Sequence, residues 1–115
     1  ANRYEVMARY ARHLRGAVRS EEARLQTDLR VARRWLHRDD DKIPHDVKPQ
    51  LAQAVGQSPH LAKLVAMREE LRQLWTRTNV SVDQLVADLQ AWLKKAEESG
   101  IAALQEFALR LRTAA

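Results

Sequence analysis

Four histidines and fifteen aspartates or glutamates are the side chains most able to do chemistry in this chain, which has no cysteine. His13, His37, His45 and His60 are never closer than eight residues apart. No two of them therefore share a helix face at the i, i+3 or i+4 spacing that offers a metal two imidazoles. The absence of cysteine removes disulfides, zinc fingers, iron–sulfur clusters and thiol nucleophiles together, and suits a reducing compartment. Asp39, Asp40 and Asp41 lack the glycine and the closing glutamate of a calcium loop, so they read as a solvated turn. His37-Arg38-Asp39 has the start of a kinase-type catalytic loop, but the asparagine needed five residues after the aspartate falls on Pro44. Gly16, Gly56 and Gly100 stand forty or more residues apart, so no glycine-rich phosphate loop exists. Ser81 and Ser99 are accounted for by helix capping, since neither sits in a nucleophile elbow. The expectation is that the chain itself carries no catalytic, metal or cofactor-binding residue.

Binding is the chemistry that remains. Arg30, Arg33, Arg34 and Arg38 surround Trp35, four guanidiniums and an indole in one short stretch. Such a surface can grip phosphates and stack on a base, with salt-dependent affinity. Glu21, Glu22 and Asp28 lie close enough to neutralise part of it. Arg9, Arg12, Arg15 and Arg19 project from the polar side of the first helix and suit an anionic lipid surface. The charge is uneven: ten arginines face six carboxylates in residues 1–40, whereas residues 81–115 hold four bases and five acids. The basic character belongs to the first element, and formal charge alone does not choose among phosphate, lipid and acidic protein.

The elements that must position these side chains are helices. Tyr4, Met7, Ala11, Leu14, Val18, Leu25, Leu29, Ala32 and Leu36 recur at steps of three, four or seven, which predicts one long helix from about Asn2 to Arg38. Its apolar stripe shifts near Glu21 and Glu22, where a bend or a split is expected. Asp39 to Asp46 reads as a loop, broken by Pro44. A short helix over Val47–Val55 follows, capped by Asp46 and ended by Gly56. Ser58-Pro59 opens a third helix with Leu61, Leu64, Val65, Leu71, Leu74 and Trp75 inward. A fourth starts at Ser81, with Gln84 placed to return the capping bond and Val80 to staple onto Leu85. It buries Leu85, Val86, Leu89, Trp92, Leu93 and Ala96. Gly100 stops it, and a fifth helix buries Ile101, Leu104, Phe107, Ala108 and Leu111.

The fold expected is an all-α helical bundle of four to five helices with one long N-terminal helix, in a single domain over residues 1–115. At 45% hydrophobic and 30% charged residues, the chain can close a modest core. No apolar run approaches the ~18 residues of a membrane span. The missing initiator methionine suggests a C-terminal fragment of a larger protein. Because the first stripe outruns what the later helices can cover, a homodimer is expected.

Two resemblances bear on function. Residues Asn2 to Arg12, Leu71 to Trp75 and Lys95 to Arg112 resemble the C-terminal cytosolic extension of bacterial membrane fatty acid desaturases. That family implies a di-iron oxidoreductase of lipid metabolism that inserts a cis double bond into acyl chains. None of its histidine boxes occurs here, so no iron ligand is carried over. The partners implied are the catalytic membrane domain of the same chain and an anionic lipid surface, on the cytoplasmic side of the inner membrane. This resemblance covers the first 25 residues as well and is taken as the leading one, with nucleic acid ranked behind lipid.

The second resemblance is to the C-terminal segment of DDE insertion-sequence transposases. It rests on the loop with acids and prolines, on Ser58-Pro59, on Arg68 to Arg72, and on Ala96 to Ile101. It implies a helical segment that contacts DNA. Glu69, Glu70, Glu97 and Glu98 have ordinary helix-surface explanations and are not assigned as its catalytic glutamate.

Overall fold

The computed structural model describes residues 2–77 and 79–114, and within them every regular element is helical. The first helix, α1, spans Arg3–Leu25, with the Asn2 side chain accepting from the Glu5 amide at its start. Its inward face is Val6, Tyr10, Leu14, Ala17 and Val18. The expected face began with Tyr4, which is 71% exposed. The helix is rotated because Tyr10 is the residue that enters the core. Its hydroxyl donates to the Leu64 carbonyl, and its ring meets Phe107 edge-on at 4.9 Å. Burial pushes that phenol well above its ordinary pKa, so it is a structural donor and not an acid.

The chain does not run on to Arg38 as one helix. Gln26 adopts a left-handed conformation, φ 49° and ψ 45°, and its amide donates back to Glu22. A non-glycine residue in that region costs on the order of 1 kcal/mol. The Glu22 carboxylate offsets this by accepting from the Leu29 amide and from Arg33 across the turn. A short helix α2, Arg30–Trp35, then brings Leu29, Ala32 and Leu36 back onto the core. With the stripe satisfied inside one chain, the physical reason for expecting a dimer is gone.

The gap in the stripe at Glu21 is filled by a carboxylate that is itself buried, 4% exposed. It accepts from Ser58 Oγ at 2.6 Å and from Arg24 at 2.6 and 2.9 Å, and His60 Nδ1 lies at 3.3 Å. This pins α1 to the start of α4. Hydrogen bonds from Arg24, opposed by burial and joined by Ser58, hold the Glu21 carboxyl down at about 2 against its ordinary 4.5. The stability it contributes is therefore complete above roughly pH 5 and is lost as pH falls through about 2. Glu21→Gln is expected to lower the unfolding free energy by on the order of 2 kcal/mol at neutral pH. In urea titrations the gap from wild type should narrow below about pH 5 and close as pH falls through about 2. A gap of the same size at low pH would contradict this assignment.

Two single 3-10 turns, Asp40–Lys42 and His45–Val47, carry the predicted loop. The next helix, α3, spans Lys48–Gly56 with Pro49 in its first turn, and no side chain caps it. Asp46 does not serve as the expected cap because the chain is still in the preceding turn there. Ser58 and Pro59 open α4, Pro59–Thr76, and Ser58 Oγ accepts from the Leu61 amide as its sequence position predicts. Helix α5, Val82–Glu97, starts at Ser81, whose side chain accepts from the Gln84 amide. Gln84 does not return the bond, because its amide group donates to Asp88. Gly100 turns at φ +73°, a value that favours glycine, and Ser99 Oγ accepts from Ile101 before α6, Ala102–Thr113, begins.

Helices α1, α4, α5 and α6 form a closed ring of neighbours, each packing on two others, with the α2–α3 pair attached along α1 and α4. This is the all-α bundle with a long first helix. With the split after Leu25 there are six α-helices among the described residues, against the four to five expected. At its centre Tyr10, Trp92 and Phe107 meet edge to face, and Trp92 donates its indole N–H to the Met67 carbonyl. Trp75 and Val65, expected inside, are only partly buried, and Met67 takes the inward position between them. Val86 and Val82 on α5 are exposed. No helix among the described residues is long and apolar enough to cross a membrane.

Candidate functional site

Apart from Arg3, which donates to the Tyr4 hydroxyl, and Arg68, which donates to the Leu36 carbonyl, the arginines divide into two sets by what their guanidiniums touch. Arg24, Arg33, Arg72, Arg77 and Arg112 each lie within 3.0 Å of a carboxylate oxygen, and Arg30 sits 3.5 Å from Asp28. Among the described residues, Arg9, Arg12, Arg15, Arg19, Arg34, Arg38 and Arg110 have no ion-pair partner. Four of the second set lie along α1.

Arg12, Arg15 and Arg19 follow one another at i, i+3 and i+7 on the solvent face of α1, with Arg9 one turn before them. They span about 15 Å at ~1.5 Å per residue. At one flank an open groove of about 640 Å³ runs between α1 and α6, lined by Arg9, Arg12 and Arg110 together with His13 and Glu106. Burial pushes the His13 imidazole below its ordinary pKa. Glu106 opposes the shift and Arg110, Arg12 and Arg9 add to it, so His13 is neutral at neutral pH.

On the other flank burial also lowers the His37 pKa, and Arg15, Arg38 and Arg68 lower it further. The field at His37 thus joins Arg15 of α1 to Arg38 beyond α2. Trp35 lies between, half-buried, with Arg34 at 5.0 Å and Arg38 at 5.2 Å from its ring centroid. Arg38 Nε donates to the Arg34 carbonyl, which fixes the pair against the indole.

Of the five residues expected to form the anionic-contact cluster, the fold brings Arg34, Trp35 and Arg38 together. Arg33 turns inward to Glu22, and Arg30 is held by Asp28. Arg15 of α1 lies near the same group, since its charge and that of Arg38 both act on His37. Arg110 was not foreseen, because nothing local in the sequence relates α6 to α1. Like charges this close repel one another, and a bound polyanion relieves the repulsion. Of the four glutamates weighed above, Glu69 pairs with Arg72, Glu70 with Lys95 and Glu97 with Arg112, while no ion pair among the described residues engages Glu98. Among the described residues no three His, Asp or Glu side chains are grouped to hold a metal ion.

The family model for transposases of the ISL3-type DDE class matches residues 2–115. The chain belongs to this transposase family. It is also 30% identical over 116 residues to the transposase for insertion sequence element IS1001 of Bordetella parapertussis. That similarity takes in 95% of the chain, which spans 28% of the length of this curated relative. No solved structure matches the chain.

Membership in the transposase family overturns the desaturase resemblance. The stretches that carried it are amphipathic helix and helix turn: Asn2 to Arg12 is a capped, arginine-rich helix start, and Ser99-Gly100 is a local stop. Those features recur wherever a basic helix opens a bundle. With it go the oxidoreductase role in lipid metabolism, the catalytic membrane domain as partner, and the place at the inner membrane. Nothing else implied a di-iron centre. The second resemblance, carried by the middle and end of the chain, named the right family.

Proposed function

We propose that this chain is a DNA-contacting helical module of an insertion-sequence transposase. In this reading the arginine face of α1, extended by Arg34, Arg38 and Arg110, lies on the phosphate backbone. The observation that carries it is that Arg9, Arg12, Arg15 and Arg19 run along the outer side of α1 without a carboxylate partner among the described residues, with Arg110 across the α1–α6 groove, in a molecule whose other arginines are mostly paired. Phosphate contacts of this kind position a duplex without reading its sequence. Trp35, held between two guanidiniums, offers a stacking surface for a base exposed at a distorted or single-stranded step.

The test sets a fluorescent DNA duplex beside anionic liposomes. The reading predicts duplex binding in the range of about 10⁻⁴ to 10⁻⁶ M near physiological salt. It predicts weaker binding to vesicles, because the apolar face of α1 is buried in the core and does not follow the arginines into the headgroup layer. Liposome binding without duplex binding would overturn it.

A further inference from the structure

Pro49 to Ala62 is a run without a single Asp, Glu, Lys or Arg, in a chain that is 30% charged. It covers most of α3 and the start of α4. Helix α3 is an outer helix: Leu51 and Ala54 face the core, while Pro49, Gln50, Ala52, Gln53, Gly56 and Gln57 are exposed. Gln50, Gln53 and Gln57 fall at i, i+3 and i+7, so their amides stand in one row. They line a shallow groove of about 220 Å³ with Asp28 and Arg30 of the α2 turn. Among the described residues, no side-chain hydrogen bond within the protein engages any of the three. Arg34 follows Arg30 by one turn on α2, so the amide row is flanked by the end of the arginine surface.

Resting on the DNA-contact reading, we propose that the Gln50–Gln53–Gln57 face of α3 touches base edges in the major groove, while Arg34 and Arg38 hold the neighbouring phosphates. A primary amide presents a donor and an acceptor together, which matches the N6 and N7 edge of adenine. An outward face of amides and small residues approaches base edges without placing a lone charge against them. A helix of ~10–12 Å diameter fits a major groove of about 12 Å. The flanking arginines supply the charge complementarity that makes DNA the occupant.

The test is selection from a duplex pool with a randomised core, comparing wild type with a Gln50→Ala, Gln53→Ala, Gln57→Ala variant. All three positions are exposed and alanine favours helix, so the fold is retained, as circular dichroism would verify. Wild type is expected to enrich adenine at one or more core positions by roughly tenfold. The variant should lose that enrichment while keeping bulk duplex affinity within about twofold and the same salt dependence. Bulk binding without enrichment by wild type, or equal enrichment by the variant, overturns the base contact alone. Failure of wild type to bind any duplex overturns the DNA-contact reading beneath it as well.

Discussion

A chain in which Arg9, Arg12, Arg15 and Arg19 are all replaced by glutamine is expected to bind duplex DNA about a hundredfold to a thousandfold more weakly at low salt. Each guanidinium that meets a phosphate contributes on the order of 1 kcal/mol by releasing condensed counterions. Four such contacts amount to two or three factors of ten, since ~1.4 kcal/mol is one factor. The replacements leave the fold alone, because none of these arginines pairs with a carboxylate among the described residues and all lie off the buried face of α1. Glutamine is close to arginine in helix propensity. The control is a chain with Arg72, Arg77 and Arg112 replaced in the same way. These are paired with Glu69, Asp88 and Glu97, so their loss should change affinity only about twofold. Fluorescence anisotropy on both chains separates the α1 face from charge in general. Equal losses in the two would mean that net charge alone drives binding.

The largest effect on stability is expected from Phe107→Ala. Phe107 is fully buried and meets Tyr10 at 4.9 Å, Trp92 at 5.6 Å and His13 at 5.8 Å, all edge-on. Its ring is the common contact through which α6 holds α1 and α5. Truncation removes the buried ring and leaves a cavity that the stiff aromatic neighbours cannot close, at a cost of about 3–5 kcal/mol. That is a large share of the roughly 5–15 kcal/mol a domain of this size has available. Urea denaturation should show the midpoint falling with the slope unchanged. A loss below about 1 kcal/mol would mean that α6 is held by something other than this aromatic cluster. Phe107→Leu, which keeps most of the volume, is expected to recover about half of the loss.

What the sequence discloses about this molecule follows the range of the interactions involved. Ser58, Ser81 and Gly100 mark helix ends correctly because their work is done within two or three residues. Leu29, Ala32 and Leu36 face the core as their spacing predicts. The rotation of α1 is hidden, because it is decided by the Leu64 carbonyl that Tyr10 reaches 54 residues away. The shift of the stripe near Glu21 and Glu22 discloses that the helix breaks there, but not that it reverses at Gln26, since no glycine marks the turn and Glu22 enforces it from behind. Glu21 reads as a surface acid until Ser58 and Arg24 close around it.

At the candidate site, residue type was legible and partnership was not. Glu22 and Asp28 stand near the cluster in the sequence, but only the fold shows that they claim Arg33 and Arg30 and leave Arg34 and Arg38. Arg110 joins the surface across the α1–α6 groove, a relation with no local trace. The same limit explains the misplaced family. An arginine-rich amphipathic start says that a basic helix opens a bundle, and only the order of features over the whole chain, matched across residues 2–115, says which bundle.

The claim that the α1 arginines lie on phosphate is tested most directly by the salt dependence of duplex affinity, measured for wild type and for the four-arginine variant from ~50 to ~200 mM. Each phosphate contact steepens the slope of log affinity against log salt by about 0.9, so wild type should be steeper than the variant by roughly 3 to 4. Parallel slopes would show that these four side chains do not touch the backbone, and would contradict the account.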